Sequence, residues 1–252
     1  MFAFDATPVK FVGLLVLFAW CTAWSLFRLT RPQDARARVS AALHLLMSAV
    51  MLAMVWTGTW QPLASVVGMP VLIGAFVLAT AWFAGWAVRD SGGGWFARWG
   101  HAVMFGAMTW HLAAMAVMRA HMGGNAAGTN AGGMHTGATD AAGMGMGGAH
   151  AGMDMGGMAS WTAEASQPGG VLWVFGLVGV PFMAYLLVAG VLDVRRALVP
   201  GAAASGCHGE APAETASYRA SALADAAMNL GMFWMSTGLL VSVAPFMGLL
   251  SA

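Results

Sequence analysis

Charge is scarce in this sequence. Asp, Glu, Lys and Arg together make up 8% of its 252 residues, against about a quarter in an ordinary soluble domain. With 59% apolar residues and a mean hydropathy of +0.71, water cannot be the main solvent for such a chain. Cysteine is scarce too: Cys21 and Cys207 provide no disulfide framework and identify no redox compartment. A net charge of +1 gives no basic surface for nucleic acid. No Ser-His-Asp spacing, His-Glu-x-x-His pair or phosphate-cradling glycine loop occurs, so the expectation is a protein that is not an enzyme. The first residues carry Asp5 and Lys10 instead of a basic stretch, which predicts no cleavable signal peptide.

What is present is a series of apolar blocks. Six are long enough to cross a bilayer, at about 11–29, 41–60, 66–88, 100–118, 170–191 and 223–246. The expected fold is an all-α integral membrane protein, one helical domain in a bacterial cytoplasmic (plasma) membrane. Arginine is concentrated after the first, third and fifth blocks, at Arg28, Arg31, Arg36, Arg38, Arg89, Arg98, Arg195, Arg196 and Arg219. The positive-inside rule then makes those loops cytoplasmic, including 197–221, and leaves both termini outside. Six transmembrane helices would form three hairpins inserted in the same sense, open to a pseudo-threefold arrangement. Trp56, Trp60, Trp95, Trp99 and Trp161 fall near the expected boundaries, where indole rings anchor to the interface.

Each returning helix carries one pattern. His44 precedes Met47 and Met51, His101 precedes Met104 and Met108, and Asp225 precedes Met228 and Met232. Ten residues past each polar residue stand Met54, His111 and Met235. Offsets of three, seven and ten keep to one helical face. Thioether sulfur is a soft ligand and imidazole a borderline one, a combination suited to Cu(I). Methionine is also an ordinary core filler, so each stripe taken alone reads more simply as packing. His111 stands apart, about 15 Å deeper than His101 and near mid-membrane, where an ionisable group marks a site by default. Met115 and Met118 continue its face.

The segment from 119 to 168 is different again. Rich in Gly and Ala without apolar periodicity, it is expected to be an extracytoplasmic loop without fixed structure. Seven methionines and three histidines lie in it: His121, Met122, Met134, His135, Met144, Met146, His150, Met153, Met155 and Met158. Methionine binds soft metals without losing a proton, so the loop is a candidate Cu(I) capture site; an inert spacer is the bland alternative.

Three resemblances bear on this. The Met-Asp-Met-Gly-Gly-Met run resembles repeats of periplasmic copper-resistance proteins. The Met-x-x-x-Met steps at 47/51, 104/108 and 228/232 resemble, in chemistry, the pore methionines of eukaryotic high-affinity copper transporters, though that family has three helices per subunit. Through His44-x-x-Met47-x-x-x-Met51 after an Arg-rich loop and His101-x-x-Met104-x-x-x-Met108, the chain resembles an uncharacterised family of actinobacterial multi-pass membrane proteins. That likeness implies a membrane location and no established activity. The expectation is a copper-handling membrane protein that binds Cu(I) in the loop and conducts it along the stripes or delivers it to an extracytoplasmic copper protein. Two alternatives stand beside it: a non-catalytic scaffold or assembly factor, and a b-type haem electron-transfer protein with axial ligands from His44, His101 or His111.

Overall fold

A computed structural model describes residues 8–89, 95–128, 163–199 and 215–240. These residues are helical throughout their regular structure, with no strand among them. The helices are α1 (Pro8–Thr30), α2 (Ala35–Val55), α3 (Thr57–Val67), α4 (Met69–Arg89), α5 (Trp95–Gly128), α6 (Val171–Leu198) and α7 (Thr215–Ser236), the last followed by a 3₁₀ turn, Thr237–Leu240. Five of them (α1, α2, α4, α6 and the Arg98–Ala120 part of α5) are long and apolar enough to cross a membrane. This is a multi-pass helical chain. Of the sixth expected span, 223–246, the part as far as Leu240 falls in α7 and its 3₁₀ turn, and α7 is not one of these five helices; residues 241–252 lie outside the described part.

Helix ends follow local chemistry. The Asp34 side chain caps α2, accepting from the Ala37 N–H at 3.2 Å. Trp56 is extended, with φ −112° and ψ 124°, and stops α2 at Val55. Gly68, at φ +81°, ends the next helix with its N–H on the Ala64 carbonyl, in a region that glycine enters without steric cost. Between these breaks lies α3, a separate short helix where the apolar blocks had suggested a continuous span to 60 and a loop before 66. Trp60 consequently sits in the core, 3% exposed, and not at an interface, whereas Trp56 and Trp95 are exposed. At 34 residues, α5 is about 50 Å long at 1.5 Å per residue, well beyond a hydrocarbon core of about 30 Å. Helix therefore continues past 118 into the first part of the expected loop.

The most extensive packing joins α1 to α2, α4 to α5 and α6 to α7, with α1 also against α7 and α5 against α6. Burial separates the helices: 50% of the apolar window is buried in α2 and in α5, against 28% in α1 and 22% in α4 and α6. On α7, Ala222, Ala224, Ala226, Ala227, Met228, Asn229, Gly231 and Met232 are all buried. The three stripe-bearing helices are therefore the inner ones. Between lipid-solvated helices, close contact depends on small residues. Gly179 on α6 lies against the Trp110 ring of α5 so closely that a β-carbon would overlap it, and there the Trp110 indole donates to the Phe175 carbonyl at 3.0 Å.

Candidate metal-binding core

The helical spacing of the methionines puts each stripe on the buried face of its helix. Met47, Met51 and Met54 from α2, Met104 and Met108 from α5, and Met228, Met232 and Met235 from α7 are buried in one contiguous cluster. Met47, Met51, Met108 and Met232 are fully enclosed. Met115 packs against the cluster from its edge. Asp225 and His101 are half-buried. Among the described residues no three His, Cys, Asp or Glu side chains converge into a metal-holding group, so an ion held in this core would depend on thioether sulfur.

His44 is the most constrained of the polar members. Its Nδ1 lies 2.7 Å from the Ser40 carbonyl one turn earlier on α2, and because a carbonyl only accepts, Nδ1 carries the proton. The other nitrogen, Nε2, is buried with no hydrogen-bond partner. The His44 ring meets the His101 ring edge-on, with centroids 4.8 Å apart. Phe83 of α4 stacks on His101 at 5.1 Å, and Phe105 stands edge-on to His44 at 5.8 Å. Two imidazoles from different helices thus share an aromatic enclosure.

His111 is buried too, but its Nδ1 pairs with the Ser236 hydroxyl at 2.9 Å. Ser236 is the last residue of α7, and its neighbour Thr237 accepts a 3.1 Å hydrogen bond from Lys10 Nζ of α1. Ser236 and Thr237 escaped the sequence reading, and Lys10 figured there only as a charge near the N-terminus. The available signal was a Ser-Thr pair following Met235 inside an apolar block. At another level of the bundle, Asp193 of α6 accepts from Arg196 at 2.8 Å and from Asn229 of α7 at 3.1 Å. Asn229 stands beside the stripe methionine Met228.

Of the loop candidates, His121 and Met122 fall in the last turns of α5. Met134, His135, Met144, Met146, His150, Met153, Met155 and Met158 lie outside the described residues, as do Trp161 and Cys207.

Residues 36–237 match the profile of a domain of unknown function, DUF5134. The chain belongs to that family. No curated protein matches the chain, and no solved structure does. The DUF5134 region takes in α2 to the start of the 3₁₀ turn, and therefore all three methionine stripes and the His111–Ser236 pair. It leaves Lys10 outside while Thr237, its partner, is the last matched residue.

Proposed function

We propose that this DUF5134 protein handles copper, capturing Cu(I) through the Met/His-rich segment between α5 and α6 and passing it along a column of thioethers between α2, α5 and α7. The observation that carries this reading is the burial of eight stripe methionines from three helices in one cluster, with His44 buried against one of its members, Phe105. Rings of soft ligands in succession let an ion exchange from one to the next without a deep trap, as conduction requires. In this reading α1–α2, α4–α5 and α6–α7 are three membrane hairpins. The ends bearing Arg28, Arg89 and Arg195 face the cytoplasm, in a plasma membrane with both termini outside. An extracytoplasmic copper protein is a fitting recipient or donor.

One observation favours a second reading, a non-catalytic scaffold: the methionines are fully packed, as unbranched, polarisable gap-fillers are in any core. The haem alternative fits less well. Axial imidazoles bind opposite faces of a porphyrin, whereas the His44 and His101 rings, 4.8 Å apart, leave no room for a macrocycle between them.

Metal analysis of purified protein decides among these. Full-length protein and a form lacking 121–158 are equilibrated with Cu(I) in reductant and assayed for retained copper. Copper held by both forms, but more of it by the full chain, supports capture and column together; equal amounts confine binding to the helices, and retention by the full chain alone confines it to the segment. Absence from both overturns the copper reading in favour of the scaffold, and a Soret band without copper would select haem.

A further inference from the structure

Buried polar nitrogen without a partner is costly because it has given up water for nothing, and its persistence calls for a ligand or a compensating interaction. His44 is such a case. It is 8% exposed, and its Nδ1–H is bound to the Ser40 carbonyl, leaving the Nε2 lone pair enclosed and unmatched. A backbone carbonyl on one imidazole nitrogen is the arrangement that fixes the tautomer of metal-bound histidines and raises the basicity of the other nitrogen. The second observation is the position of His101. With metal–nitrogen bonds of about 2 Å, two imidazoles sharing one tetrahedral ion have ring centres about 5 Å apart. The His44 and His101 centroids are 4.8 Å apart, with planes at 78°.

Sulfur is available about one turn further along each helix. Met47 and Met104 each stand three residues beyond one of the histidines, on the same helical face. Long side chains on a helix lean toward the preceding turn, so each thioether lies over the turn from which its histidine projects. Both methionines are buried. Phe83 stands against His101 and Phe105 against His44, apolar surroundings that favour a cation of low charge held by neutral ligands over a divalent ion that demands carboxylates.

We propose that His44 and His101, with thioether ligation from Met47 and Met104, form a discrete binding site for a soft monovalent cation, Cu(I) or its silver analogue, at one end of the methionine column. This rests on the copper reading above and assigns that reading a fixed coordination site. The site is shared: neither histidine binds an ion by itself.

The test uses the full chain in detergent, loaded with Cu(I) under reductant, passed over a chelating resin and compared with H44F, H101F and the double variant. Phenylalanine keeps the aromatic packing and removes the nitrogens. Each single variant loses one copper equivalent relative to wild type, and the double variant loses no more than either single one. M47L, which conserves volume, keeps the stoichiometry and weakens retention against a Cu(I) chelator by about tenfold. Wild-type stoichiometry in H44F and H101F, or a loss of two equivalents in the double variant, overturns the shared site while leaving the copper reading intact. If wild-type protein holds no copper, that reading falls and the site with it. Helical circular dichroism and a monodisperse elution profile establish that each variant is folded, and a variant failing them is replaced by H44Q or H101Q.

Discussion

Lys10 Nζ donates a 3.1 Å hydrogen bond to Thr237 Oγ1, joining the first helix to the 3₁₀ turn 227 positions later. Lys10 is only 1% exposed. The threonine hydroxyl in turn donates to the Trp234 carbonyl at 2.8 Å, satisfying a backbone acceptor where the α-helix tightens. Thr237→Val removes one partner of a buried ammonium and leaves the charge in place. Lys10→Met removes the charge itself and conserves length. Because an under-satisfied buried group costs more than an apolar replacement of both partners, T237V lowers the melting temperature in detergent more than K10M does. Equal or reversed effects would show that this bond contributes little.

His111 and Ser236 link α5 to α7 by a 2.9 Å bond. Hydrogen bonds inside membrane bundles contribute about 0.6–1.7 kcal/mol, so Ser236→Ala costs about 1 kcal/mol and leaves the fold intact. Its effect on copper is the more telling measurement. In the copper reading S236A loosens the imidazole and weakens retention of Cu(I) against a chelator, while H111F combined with M108L abolishes copper tolerance in cells. A scaffold keeps both properties unchanged in all these variants.

Asp193 has two partners of unequal value. Arg196 is a near neighbour on the same helix with its side chain 36% exposed, and partly solvated pairs of this kind contribute about 0–1 kcal/mol. Asn229 is buried and reaches across from α7 at 3.1 Å, so its removal leaves a carboxylate short of a donor at a cost of about 1–3 kcal/mol. Asn229→Ala therefore destabilises the protein more than Arg196→Ala. Unfolding monitored in detergent by scanning fluorimetry gives the order directly.

Membrane class and the inward face of the stripes were legible because both rest on local regularities: apolar length, and residues repeated at helical offsets. Met47 and Met51, Met104 and Met108, and Met228 and Met232 needed only the 3.6-residue period to be placed together. What escaped was set by single residues or by distant partners. The break at Trp56 and the positive φ of Gly68 insert α3 between blocks that read as nearly continuous. The extension of α5 through Gly123 and Gly124 to Gly128 runs against glycine's low helix propensity. The Lys10–Thr237 and His111–Ser236 bonds span 227 and 125 positions, and no pattern along the chain encodes such pairings. The same holds for His44 and His101: their shared offset to methionine was visible, their 4.8 Å contact was not.

Gly231 gives a means of moving one stripe. It faces Phe18 of α1, and a β-carbon there would lie 2.6 Å from Phe18 Cε1 and 2.9 Å from Cζ. Phe18 is fully enclosed, so the ring cannot swing away and the helices must part. Overpacking of this kind costs about 1–3 kcal/mol. Gly231→Ala is expected to lower thermal stability, and Phe18→Leu, destabilising alone, to restore part of it by vacating the space. The double variant is thus more stable than the sum of the single effects, a coupling measured by a double-mutant cycle. Met228 and Met232 lie close to Gly231 on α7, so a shift of this helix also moves both thioethers. If the column binds copper, G231A weakens Cu(I) retention and G231A/F18L recovers it in step with stability. Recovery of stability without any change in retention would separate the packing of α7 from metal binding.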